Sequence, residues 1–246
     1  MTAPRPPSPS AWPAGLALWR AGRVDVPATV TLSSGWPALD AELPGGGWPL
    51  AGLTELLLPP ASGELALLAP WLRALGARAH GPHALAWIAP PAQPCVAALQ
   101  ACGLAAAQLV CVTPTRLADA AWATEQALRS QSCAAVLWWV PDPMPSALLR
   151  RLHLAAQAGA TPLIALRAPA ERRHGSPAPL RAACSPQPGY RLSVEVFKRR
   201  GPPMAAPLQI ALPPPVSVRP LSPRPASNAV DRPLPAPAAP AGTALV

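Results

Sequence analysis

"LTELLLPPASGELALLAPWL", residues 53–72, sets an apolar run, a short loop ending in Ser62-Gly63 and a helical pattern one after another. A strand, a glycine-closed loop and a helix N-terminus is a layout that holds phosphate, because the loop and the first helical turn present free backbone N–H groups. A working phosphate loop reads G-x-x-x-x-G-K-[ST]: glycines let the backbone close around the anion, lysine neutralises it, and the hydroxyl ligates magnesium. Aligned on Gly63, this chain offers Leu58, Pro59, Pro60, Ala61, Ser62, Gly63, Glu64 and Leu65. Leu58 replaces the first glycine, and the two prolines remove two N–H donors. Glu64 stands where lysine is needed, and Leu65 cannot hold a metal. The stretch keeps the shape of a nucleotide site and lacks its chemistry, so neither a cofactor nor catalysis is expected of it.

Outward from this loop, strand and helix signals alternate. Apolar runs at 53–58, 84–89, 109–113, 134–140 and 162–168 read as strands, the fourth apolar throughout, as a strand covered on both faces must be. Between them lie helices from about 63 to 75, at 94–103, at 117–131 and at 146–159, the last with Ser146 as N-cap and Leu148, Leu149, Leu152 and Ala156 as its apolar stripe. Such alternation means right-handed crossovers and a mostly parallel sheet, an α/β fold. The period changes to two at 190–200, where Leu192, Val194 and Val196 alternate with Ser193, Glu195 and Phe197, and "GPPM" turns the chain into "PLQIAL". An antiparallel C-terminal hairpin is expected there. Residues 1–15 and the Pro-rich tail 213–246 have too few large apolar side chains to order themselves, which leaves 16–212 as the folded domain.

The chain has 246 residues, with 39 prolines and a formal charge of +9. Lys198 is the only lysine, so the basic character is almost wholly arginine. Residues 1–149 carry seven basic and eight acidic side chains, whereas 150–246 carry thirteen and three, so the charge sits in the C-terminal part. That asymmetry suits a polyanion or an acidic partner. The five cysteines show no metal spacing and read as small buried residues or free thiols of a reducing, cytoplasmic protein. No apolar run is long enough to span a bilayer.

The other stations of a nucleotide enzyme are also missing. Trp138 and Trp139 end the fourth strand where a magnesium-holding carboxylate belongs, and Asp142 comes late, after a proline. "APPAQP" follows the second strand where a catalytic glutamate would stand. His80, His83, His153 and His174 share no metal spacing, and no nucleophile and base arrangement is present.

The segment ahead of the loop, "TLSSGWPALDAELPGGGWPLAGLTELLLPPASGE", resembles the start of the RecA-type core: Ser34 and Gly35, Leu39 and Asp40, Glu42 and Leu43, Gly46 and Gly47, Pro49, Gly52 and Glu55 stand at its motif positions. Within that group "GWPALDAELPGGGWP" is similar to the ImuA family, RecA-like accessory proteins of damage-induced mutagenesis, related also to the SulA inhibitors of cell division. The resemblance spans about residues 15–212. It implies a RecA-like P-loop-type core with a degenerate site and a non-catalytic adaptor role in SOS-induced translesion DNA synthesis. The partners implied are an ImuB-like Y-family polymerase homologue and, indirectly, an error-prone C-family DNA polymerase, with RecA and DNA as further candidates. A SulA-like inhibitor that binds the tubulin-like division protein is the alternative.

In such a fold the segment 169–191 reads as a loop after the fifth strand. Arg172, Arg173, Arg181 and Arg191, with Lys198, Arg199 and Arg200 at the hairpin, are its candidate contacts to DNA, to a protein partner or to solvent. Tyr190 is placed to stack on a base. Trp71, Trp87, Trp122, Trp138 and Trp139 fall on predicted elements and are expected in the core. Trp12, Trp19, Trp36 and Trp48 lie in the N-terminal segment and are expected at an interface.

Overall fold

A computed structural model describes residues 30–78 and 84–214. The proposed segment 1–15, Trp12, Trp19, His80, His83 and nearly all of 213–246 lie outside the described residues.

Ten strands and five α-helices follow in the order β1 (Thr31–Leu32), α1 (Pro37–Glu42), β2 (Trp48–Pro49), β3 (Gly52–Leu57), α2 (Glu64–Arg78), β4 (Ala84–Ile88), α3 (Val96–Ala101), β5 (Leu109–Val112), α4 (Leu117–Arg129), β6 (Cys133–Trp139), α5 (Ser146–Ala158), β7 (Pro162–Arg167), β8 (Leu180–Gln187), β9 (Arg191–Lys198) and β10 (Leu208–Ala211). β1 and β2 pair antiparallel as a small ribbon. The main sheet has eight strands in the order β10-β9-β8-β3-β7-β6-β4-β5. From β8 to β5 all neighbours are parallel, while β8, β9 and β10 pair antiparallel. The α/β class, the mostly parallel sheet and the antiparallel end are therefore as the sequence pattern predicts.

Two cores lie on the two faces of this sheet, sorted by strand alternation. One face carries Leu56, Trp87, Leu137, Trp139, Ile164 and Val194 against Leu67, Leu68, Trp71 and Leu72 of α2 and Leu99 of α3. The other carries Leu53, Ile88, Val136, Trp138 and Leu163 against Ala120, Ala121 and Leu128 of α4 and Leu149 and Leu152 of α5. The parallel strands β3, β4, β6 and β7 are covered on both faces and are accordingly apolar at all positions but Thr54, Glu55 and Arg167.

The segment before β3 packs on the first face. Gly35, at φ +84°, has Pro70 of α2 only 2.3 Å from where a Cβ would stand, and Gly47 has the Leu32 carbonyl oxygen at 2.2 Å. A side chain fits at neither position. Asp40 accepts from the Ser34 N–H at 2.7 Å and the Ser33 hydroxyl at 2.5 Å, which fixes the turn into α1.

Several local expectations are corrected. α2 runs through Gly76 to Arg78, since its Leu75 turn still packs on the core. Pro145, not Ser146, caps α5, and no side chain bonds to that cap. Trp122 is 64% exposed, because α4 lays its small residues and Leu128 on the sheet and turns the indole the other way. Trp48 is fully buried, and Trp36 is half-buried with its indole N–H donating to the Leu67 carbonyl at 2.9 Å. The segment 169–191 is not one loop: a 3-10 turn at Pro169–Arg173 is followed by β8, which joins the parallel core at β3 to the hairpin. No described helix is long and apolar enough to cross a membrane.

Candidate functional site

The loop after β3 is closed by its own side chain. Glu64, the first residue of α2, is 3% exposed and turns its carboxylate back into the loop. One oxygen accepts from the Ala61 N–H at 2.9 Å and from the Trp139 indole N–H at 3.3 Å, and the other accepts from the Ser62 N–H at 2.9 Å. These amides and the positive end of α2 are what would otherwise hold a phosphate. The Ser62 hydroxyl donates to the Pro59 carbonyl at 2.5 Å, which tightens the turn. Gly63, at φ +110°, has Leu212 Cδ1 at 2.6 Å from an ideal Cβ, so the chain after β10 lies against the loop. Cys184 of β8 sits nearby, and burial together with the Glu64 charge pushes its thiol up to about 12.

Beside the loop, at the C-terminal ends of the parallel strands, lies a cleft of about 540 Å³. Its walls are mainly apolar, from Leu58, Pro60, Pro91, Pro114, Trp139 and Leu166, with Glu64, Thr115, Arg116, Asp142 and Arg167 as polar members. Open α/β sheets bind ligands at this end. Here the loop's donors are spent on Glu64, and the acid that follows β6 is spent on arginine.

That pairing belongs to a buried ion cluster. Glu55 of β3 is fully buried and accepts from Arg167 Nη1 at 3.2 Å, Arg181 Nε at 2.6 Å and the Ser176 hydroxyl at 2.7 Å. Arg167 also reaches Asp142 Oδ1 through Nη2 at 2.6 Å and Nε at 3.1 Å, and Glu171 Oε2 at 2.8 Å. Burial works against the Arg167 charge, but the bond to Asp142 and the charges of Glu55, Asp142 and Glu171 hold its pKa above the ordinary value. Burial likewise opposes ionised Glu171, and the bond to His174 with the charges of Arg167, His174 and Arg181 brings it below the carboxylate range. Arg181 further donates to the His174 carbonyl at 2.9 Å and the Glu171 carbonyl at 2.8 Å. The cluster thus ties β3, β7 and β8 to the turn that follows β7.

The seven basic candidates separate into three groups. Arg181 is 4% exposed and belongs to the ion cluster. Arg172 and Arg199 are engaged at the surface. Arg172 clasps Glu195 with two bonds of 2.6 Å and lies over the Phe197 ring at 4.8 Å. Arg199 holds the Glu42 carboxylate at 2.6 Å, the Glu42 carbonyl, and the Pro202 carbonyl at 2.7 Å. Lys198 is exposed and donates to the Ser176 carbonyl at 2.7 Å, while Arg173, Arg191 and Arg200 are exposed and show no ion pair among the described residues. Tyr190 is 58% exposed at the β8–β9 turn. His153 accepts the Leu53 N–H at Nδ1, 3.0 Å, a role that requires the neutral ring. Burial, aided by Arg150 and Lys198, lowers its pKa accordingly.

Sequence reasoning missed the Glu55, Arg167 and Arg181 cluster and the bond from Trp139 to Glu64. The signal was available: a single acid within "LTELLL" and a single arginine within "PLIALRA", each amid residues that must be buried.

Fold and site together define an α/β protein with a mostly parallel sheet, whose loop after β3 is closed by its own carboxylate. Among known proteins, cell division inhibitor SulA of Edwardsiella piscicida is 38% identical over 93 residues, 38% of this chain and 53% of that protein. The chain thus spans about half the length of the curated relative it matches. SulA from Pseudomonas aeruginosa, of known crystal structure, is 31% identical over 47% of this chain and 97% of its own, with a TM-score of 0.40. No family model matches. This curated relative carries the name SulA, which corrects the assignment to the ImuA family and the translesion-synthesis role drawn from it. The physical reason lies in the segment that carried the resemblance. Gly35 and Gly47 serve close backbone packing, so they report a fold requirement and not a particular activity. The partners implied by that resemblance stand on it alone.

Proposed function

We propose that this protein is a SulA-like inhibitor of cell division that acts by binding a partner and not by catalysis. The observation that carries this reading is the 38% identity to a cell division inhibitor over 93 residues. The loop chemistry supports it: with Glu64 seated among the amides, a nucleotide would meet a carboxylate in place of a lysine. We read the core as RecA-type, its phosphate loop turned into a packing joint, on the strength of the strand, loop and helix at β3 and of the segment before it. Expression under DNA-damage control belongs to the same reading. The partner is the tubulin-like division protein, and the exposed Arg173, Arg191, Lys198 and Arg200 are its proposed contacts, suited to an acidic surface.

Induced expression is expected to turn dividing cells into filaments without raising mutation frequency, and to slow assembly of the purified division protein. Normal cell length at full expression would sink the proposal. Charge reversal at Arg173, Arg191 and Arg200 together is expected to weaken binding and to flatten its salt dependence.

A further inference from the structure

The cleft beside the closed loop measures about 540 Å³, within the range of roughly 300–1,000 Å³ typical of small-molecule pockets. Its floor is made by the ends of three neighbouring strands, with Leu58 just past β3, Leu166 of β7 and Trp139 of β6 all buried. The side toward β5 is the start of α4, where Arg116, Leu117 and the buried Ala120 line the cleft. β6 and β5 lie two strand spacings apart, roughly 10 Å. An apolar surface of this extent, open at its mouth, favours a hydrocarbon occupant.

Four charged residues line the cleft: Glu64, Arg116, Asp142 and Arg167. Three of them are already engaged, Glu64 with the loop amides and Asp142 with Arg167. Arg116 is exposed and shows neither an ion pair nor a side-chain cap bond among the described residues. It stands at the N-terminus of α4, whose first-turn N–H groups add positive character at the same end. Asp119 of that turn lies outside the cleft wall. We infer that the cleft binds a small apolar monocarboxylate, with the carboxylate on Arg116 and the hydrocarbon body over Trp139 and Leu166. One open cation matches one anionic group. A polyphosphate would bring further charges toward Glu64 and Asp142 with no cation left to meet them, and an amine would face Arg116 with its own sign. The site lies apart from the contacts proposed for the division protein and does not depend on them.

Calorimetric titration of the full chain with decanoate tests this, with decanol and decylamine as the uncharged and cationic comparisons. Decanoate is expected to bind at a single site, at least about tenfold more tightly than decanol, the effect of one charge-assisted contact. Decylamine is expected to bind more weakly than either. Arg116→Gln should bring decanoate down to the affinity of decanol and leave decanol unchanged. Ala168→Phe, at an exposed position of the wall, fills the cleft and should weaken decanoate and decanol alike by at least about tenfold. Arg129→Gln removes a positive charge at the far end of α4 and should change neither affinity. Thermal melts matching the native chain show that each variant is folded. No binding of decanoate to the native chain, equal affinities for decanoate and decanol, or several equivalent sites overturns the inference, and so does indifference to Arg116→Gln or to Ala168→Phe.

Discussion

Replacing Glu64 by glutamine keeps the shape of the side chain and removes its charge. In the native loop the two oxygens accept from two amide N–H groups at 2.9 Å, and one of them also from Trp139 at 3.3 Å. A glutamine leaves one acceptor oxygen and turns an NH2 group toward a backbone donor. One bond to a charged acceptor, worth about 1.5–3 kcal/mol, is lost. The interaction of the charge with the helix N-terminus, about 0.3–1 kcal/mol, goes with it. A destabilisation of about 2–4 kcal/mol follows, which for a domain of this size lowers Tm by roughly 5–12 °C. Urea unfolding followed by tryptophan emission measures the change, and Trp139 should shift in the native baseline because its indole N–H touches the altered group. Glu64→Lys places a cation against the same donors and should cost more. If Glu64→Gln unfolds within about 0.5 kcal/mol of the native protein, the carboxylate does not hold the loop and the account of the closed site fails.

Removing one member of the buried cluster, by Glu55→Gln or Arg181→Met, leaves uncompensated charge and is expected to cost about 3–5 kcal/mol in the same assay. The double variant should cost less than the sum of the single changes. Trp138→Ala, at a fully buried site, should lose about 3–5 kcal/mol, whereas Trp122→Ala, 64% exposed, should fall within about 0.5 kcal/mol of native. The Cys184 thiol, raised to about 12 in the fold, contributes stability that is fully present below its ordinary value of 9.0 and is lost as pH climbs from there through about 12. Cys184→Ala should flatten that alkaline decline, and native Cys184 should resist thiol reagents that label exposed Cys95 and Cys111.

The parallel core was legible because burial on both faces forces whole strands to be apolar, a pattern that needs no partner to be recognised. β8 was not, since Arg181 and Pro186 interrupt it and it tolerates Arg181 only because Glu55 lies beside it in the fold, 126 residues earlier in the chain. The loop was half legible. Its failures as a phosphate site can be read directly from Pro59, Pro60 and Glu64. That the same glutamate satisfies the loop depends on a turn with Ala61 at φ 55° and an indole from β6. The tryptophans show a similar limit. Periodicity identifies Trp122 and Trp138 alike as members of regular elements, and only the choice of helix face separates an exposed indole from a buried one.

The closed loop also changes what the cell's metabolite levels can do to this protein. A phosphate loop stabilised by a free ligand gains free energy with ligand concentration and loses it on dilution. Glu64 is a tethered anion whose effective concentration at the amides is set by one helical residue's reach and does not vary. The thermal midpoint of the chain is therefore expected not to move when nucleotide is added, and a rise with ATP would refute this reading of the loop. On the proposed reading, such a protein would be governed by how much of it is made and how long it lasts, and not by the energy state of the cell.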